Sequence, residues 1–240
     1  MSSRSGTRFW ELDMIRGLAA VMMVLYHMLF DLSYLGGYNI NVYSGFWLRF
    51  AQATASIFIV LAGISLAISR SRAKERGQDP FPRILRRGLW IFSLGMVITF
   101  VTYALFRDEF IIFGVLHFLG VSIVLAYPFL GLRFTNLIAG IGIISAGLYL
   151  QGLSISSPWL LWLGMAPKDF YTLDYFPLIP WFGLVLIGVF LGNELYGGQR
   201  RRAGLPDLYP YLPVRFLDFL GRNSLAIYLI HQPALIIILY

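Results

Sequence analysis

Four ionisable residues, Asp13, Arg16, His27 and Asp31, lie in the first strongly apolar stretch of the chain. At about 100° per residue, the step from Arg16 to His27 is close to three full turns, so a helix would point both side chains the same way. Asp13, three residues before, and Asp31, four residues after, share that face. An ionisable group at bilayer depth costs roughly 2.5–3.5 kcal/mol, and such groups face a bundle interior or a water-filled cavity. Four on one stripe mark a candidate site. A neutral His27 could serve as a general base, with Asp31 one turn on to orient its ring. Arg16 could offer its planar fork to a phosphate, or pair with Asp13 and anchor the helix at the headgroups.

Two further histidines, His117 and His231, fall in later apolar segments at depths similar to that of His27. All three could share one layer; each could equally just hydrogen-bond a neighbouring helix. His117 or Asn223 could donate to a developing oxyanion, and Asn223 could as well be a helix cap. Arg86 and Arg87 open the third apolar segment after a basic loop, where they could set topology or hold phosphate. Trp181, Tyr26 and Tyr175 suit belt or packing positions. The sequence has no Walker loop, no Gly-x-Ser-x-Gly elbow and no His-Glu-x-x-His, so a soluble-type hydrolase or zinc peptidase is unsupported.

The elements that must carry these residues are helices in a membrane. The chain has 240 residues, 58% hydrophobic and 13% charged, with a mean hydropathy of +0.71, a composition of integral membrane proteins. The sequence predicts an all-α polytopic membrane helix bundle of about seven transmembrane helices, over 13–35, 46–69, 86–106, 111–130, 135–152, 176–196 and 219–240, forming a single domain over 1–240. Of the 19 Lys and Arg, only Arg49, Arg107 and Lys168 fall outside the inner side when the N-terminus is cytoplasmic. The others include the run from Arg70 to Arg87 and Arg200, Arg201, Arg202, Arg215 and Arg222. The positive-inside rule then places the N-terminus in the cytoplasm and the C-terminus outside, opposite to a seven-helix receptor. On this reading the net charge of +7 reflects topology rather than a nucleic-acid partner. No cysteine is present, which excludes disulfides and thiolate chemistry, and no cleavable signal peptide is expected. Gly140, Gly142 and Gly147 predict close packing of the fifth segment. Residues 153–175, aromatic and broken by proline, predict an outer interfacial or re-entrant stretch that could act as a lid.

Five ordered blocks carry a family resemblance. They are Arg8-Phe-Trp-Glu-Leu-Asp13-Met-Ile-Arg16-Gly17 with His27 beyond it, Arg86-Arg87-Gly88, Phe113-Gly114-Val115-Leu116-His117-Phe118-Leu119-Gly120, Asp174-Tyr-Phe-Pro-Leu-Ile-Pro-Trp181-Phe-Gly183, and Leu220-Gly-Arg-Asn223 through His231-Gln232-Pro233. The first resembles the opening of transmembrane acyltransferases. Together the five look like the catalytic domain of the heparan-alpha-glucosaminide N-acetyltransferase family. The resemblance implies a cytoplasmic acyl-CoA, such as acetyl-CoA, as donor and an acceptor hydroxyl or amine, a small molecule or glycan, arriving from the other side. It places Arg16 on the donor side and His27 at the reaction centre.

Combined with the residue chemistry, this gives His27, Asp31 and His117 as candidate catalytic residues and Arg16, Arg86 and Arg87 as donor-binding. Asn223, His231, Gln232, Trp181 and Asp174 are the candidate acceptor-binding residues. The expected setting is a multi-pass protein of the plasma membrane, in contact with lipid, without metal or haem, and able to form a homodimer. A proton-coupled transporter could use the same stripe, and a b-type cytochrome could use facing histidines.

Overall fold

In the computed structural model the described residues are 8–150, 158–167, 170–196, 204 and 206–239. They form eight α-helices: α1 (Trp10–Tyr34), α2 (Gly45–Glu75), α3 (Phe81–Leu105), α4 (Val115–Leu125), α5 (Phe134–Leu150), α6 (Leu178–Leu195), α7 (Leu212–Arg222) and α8 (Ser224–Leu239), with short 3-10 turns at Tyr127–Phe129 and Pro158–Leu163. The protein is an all-helical membrane protein, but the seven expected spans are not seven long helices. Four, α1, α2, α3 and α6, are long and apolar enough to cross a bilayer, or five when the bent pair α7 and α8 counts as one. The 11 residues of α4 rise about 16 Å, roughly half of a hydrocarbon core. The 17 residues of α5 rise about 25 Å.

The expected last span is two helices meeting at 83°. α7 is amphipathic, with Leu212, Phe216 and Phe219 exposed and Arg215, Asp218 and Arg222 on the same short helix, the pattern of a helix lying in the interface. In contrast, α2 runs past the predicted end at 69. Nothing stops it until Gly77, whose φ of 64° lets Gln78 N–H reach Ala73 C=O at 2.9 Å and Gly77 N–H reach Lys74 C=O at 3.0 Å, closing a Schellman cap. The expectations at Arg4, Lys168, Arg200, Arg201 and Arg202, and the 153–157 part of the outer stretch, lie outside the described residues.

The chain divides into two compact units, one Met1–Leu61 with Gly204–Tyr240, the other Ala62–Ala203, the boundary falling within α2. In the first unit α1 packs against α7 and α8. The α1–α7 crossing is glycine on glycine: a Cβ on Gly17 would fall on the Leu217 carbonyl, and one on Gly221 on the Asp13 carbonyl. Close backbone approach of this kind drives helix association in lipid, where burying apolar side chains gains little.

In the second unit the same device recurs. Gly140 and Gly183 face each other across α5 and α6, and Gly147 meets Pro180, as the glycine content of the fifth segment predicts. Gly142 faces open space and takes no part. α3 turns Leu89, Trp90, Val97, Phe100, Val101 and Leu105 outward, an apolar face suited to lipid. Beyond α6's N-terminus the predicted outer stretch is fastened to the α3–α4 connection. Leu173 N–H bonds Glu109 C=O and Phe176 N–H bonds Phe113 C=O, each at 3.0 Å, and Thr172 Oγ1 donates to Phe110 C=O at 2.7 Å.

Candidate active site

The polar stripe of α1 is used in two places, both in the first unit. At one end, the Arg16 guanidinium donates to Asp13 Oδ1 at 2.5 Å, beside the glycine crossing. Asp218 and Arg222 of α7 make a second ion pair at 2.8 Å. Asp13 and Asp218 are both buried, so each carboxylate needs its cation. The pairing alternative for Arg16 is therefore formed. The α7 pair is a functional-looking feature that the sequence reading missed; its signal was the i,i+4 spacing of Asp218 and Arg222 on a short amphipathic helix.

Three turns along α1, His27 meets His231 of α8, their ring centroids 4.6 Å apart and the planes at 80°. His27 Nδ1 lies 2.9 Å from the Met23 carbonyl. A carbonyl only accepts, so Nδ1 carries the proton and Nε2 presents a lone pair. His231 repeats the arrangement: Nδ1–H donates to the Tyr228 carbonyl at 2.6 Å. Its Nε2 is buried with no hydrogen-bond partner among the described residues. Two imidazoles thus stand edge to face, each with its Nδ1 proton tied to its own backbone and with no hydrogen bond to its Nε2 among the described residues. A buried acceptor left in that condition costs about 1–3 kcal/mol and suits a ligand that brings a proton.

Asp31 does not orient His27. Its Oδ1 accepts from Gln232 Nε2 at 2.6 Å, joining α1 to α8 one turn past the histidine pair, with Asp31 almost wholly buried. Each group has another partner: the His27 Nδ1–H is held by the Met23 carbonyl, and Asp31 Oδ1 is taken by Gln232 of α8. Asn223 sits at the α7–α8 break, exposed, its Nδ2 donating to the Phe219 carbonyl at 2.8 Å, so its amide closes the C-terminal end of α7 rather than capping a helix start.

The remaining candidates belong to the second unit. His117 is 2% exposed, and both its nitrogens are engaged. Gly114 N–H donates to Nδ1 at 3.2 Å, which leaves the proton on Nε2, 3.2 Å from Thr99 Oγ1; the threonine hydroxyl donates to Ile111 C=O at 2.6 Å. His117 therefore caps the start of α4 and has no lone pair to spare. Asp174 Oδ2 accepts from Val115 N–H at 2.9 Å on the same turn, and burial pushes its carboxyl up to about 6 despite that bond. Trp181 packs on Phe176 at 4.8 Å and with Tyr175 lines a cavity of about 160 Å³. Arg86 and Arg87 are exposed and stand in the second turn of α3, which begins at Phe81 rather than at the arginines.

Of the five sequence blocks, the first and last meet in the first unit, where α1 packs on α7 and α8, and the other three lie in the second. A family model, heparan-alpha-glucosaminide N-acetyltransferase, catalytic, matches residues 8–233. The chain belongs to that family. No curated protein and no solved structure matches it significantly. Membership of the heparan-alpha-glucosaminide N-acetyltransferase catalytic family makes the chain a membrane-embedded transferase of the acetyltransferase type, built on a multi-pass helical frame. The matched span includes both histidines of the α1–α8 pair.

Proposed function

We propose that the protein moves an acetyl or other short acyl group from a cytoplasmic acyl-CoA to a hydroxyl or amine, a sugar group, on the outer side of the plasma membrane, its N-terminus inside. The observation that carries this reading is the His27–His231 pair, with two imidazole lone pairs uncommitted in a buried helix contact. His27 Nε2 takes the proton of the acceptor hydroxyl or amine as that oxygen or nitrogen bonds the thioester carbonyl carbon. When the carbon–sulfur bond breaks, His27 returns the proton to the departing sulfur. His231 Nε2 accepts a hydrogen bond from the acceptor and holds it for attack. General-base help of this kind contributes about 10²–10⁴-fold. His117, with both nitrogens engaged, is left to position α4.

The test is acetyl transfer in reconstituted vesicles, with CoA binding titrated on the same preparations. His27→Ala should abolish transfer and leave CoA binding unaltered. Transfer at the parental rate would remove His27 from the reaction. Gradient-driven uptake without any acyl donor would favour a carrier over a transferase.

A further inference from the structure

The second unit contains an open hollow of about 360 Å³ lined by Arg70, Lys74, Gln78, Pro80, Tyr127 and Gly131, among others. Arg70 and Lys74 lie one turn apart on the last turns of α2, so their cations share a face. The Schellman cap at Gly77 turns the chain back on itself and brings Gln78 and Pro80 to the hollow's rim. Opposite, the 3-10 turn after α4 supplies Tyr127, half-buried and packed on Phe81 with ring centroids 4.8 Å apart. Gly131 is the floor under the arginine: a Cβ there would stand 2.9 Å from Arg70 Nη2, so the guanidinium lies across bare backbone. The nearby acid, Asp79, is engaged, its Oδ1 accepting from Phe81 N–H at 3.0 Å and from the Tyr127 hydroxyl at 3.3 Å.

Two cations, an aromatic face and a side-chain amide around one concavity make a recognition set for a phosphorylated nucleotide. The cations take phosphate, the ring takes the face of a base, and the amide can pair with a base edge. A phospholipid headgroup would use the cations but has no call for the ring or the amide. We propose that this hollow binds the phosphorylated adenosine end of the acyl-CoA donor, an assignment that rests on the donor being an acyl-CoA. It gives the phosphates Arg70 and Lys74 as partners, whereas Arg16 is paired with Asp13.

The test is CoA titration of the full chain in nanodiscs of zwitterionic lipid, with adenosine 3′,5′-bisphosphate as competitor. The bisphosphate should displace CoA. Arg70→Gln with Lys74→Gln should weaken CoA binding by about ten- to a hundredfold, the scale of a lost charge-assisted bond or two. Gly131→Val, which keeps both cations and fills the floor, should weaken it as well, and Arg70→Lys should restore part of the loss. Parental CoA affinity in both the double variant and Gly131→Val would overturn the assignment while leaving the acyl-CoA donor in place. An original chain that binds no CoA would remove the donor reading itself. Loss of affinity for anionic vesicles with an unaltered CoA titration would make the hollow a lipid headgroup site and also overturn the proposal.

Discussion

The hydrogen bond from Gln232 to Asp31 holds α8 on α1 one turn past the histidine pair, and its strength can be measured. Gln232→Leu removes the donor 2.6 Å from Asp31 Oδ1 and leaves a carboxylate that is 1% exposed without its link to α8. Interhelical hydrogen bonds between neutral groups in membranes average only about 0.6 kcal/mol. A bond to a charged acceptor contributes about 1.5–3 kcal/mol, so the single variant should lose about 2 kcal/mol, roughly thirtyfold in the folded-to-unfolded ratio. Asp31→Leu should also destabilise, because the Gln232 amide oxygen already lacks a hydrogen-bond partner among the described residues and its Nε2 would lose the bond to Oδ1. Replacing both partners with leucine should recover much of either loss, since removing both halves of a buried polar pair together is far cheaper than removing one. The assay is a double-mutant cycle by reversible unfolding in detergent. A coupling of at least about 1.5 kcal/mol is expected; single losses that add within about 0.5 kcal/mol would refute the argument, and with it the idea that the histidine geometry is held from α8.

Two further outcomes separate positioning from chemistry. His117→Gln keeps one acceptor and one donor for Gly114 and Thr99, so stability and transfer should both survive, whereas His117→Leu should lose about 1–3 kcal/mol; parental unfolding of His117→Gln with transfer abolished would return His117 to the reaction. Burial raises the Asp174 carboxyl from 3.8 to about 6, so the folded state holds that proton more tightly than the unfolded chain does. Its contribution to stability should therefore fall as pH rises from about 4 to about 6 and stay low above that. Asp174→Asn, which can still accept from Val115 N–H, should lack that slope in thermal unfolding at successive pH values and be the more stable protein at pH 7; parallel curves would contradict the assignment.

The membrane class and the polar stripe of α1 were legible in the sequence, because hydropathy and a 3.6-residue period act locally. The glycines of the fifth segment announced tight packing for the same reason, and of the three histidines expected to share one layer His27 and His231 stand ring against ring, while His117 takes its partners within the second unit. Less was readable where one helix had to meet another. In the last apolar segment Gly221, Arg222, Asn223 and Ser224 interrupt the run and mark where a break can fall, but the 83° angle between α7 and α8 is a matter of how both helices pack on α1.

Residue type and spacing alone determined that this protein is a helical membrane protein whose apolar first helix carries a stripe of ionisable residues, Asp13, Arg16, His27 and Asp31. The chain's order could not say which partner each polar group would take. Asp31 had one turn to His27 by sequence, yet its bond is to Gln232, two hundred and one residues away; His117 looked as basic as His27, yet the Gly114 amide and Thr99 consume both its nitrogens. A buried imidazole acts as a base only if a lone pair is left over, and that is settled by which donors and acceptors the folded helices bring within about 3 Å.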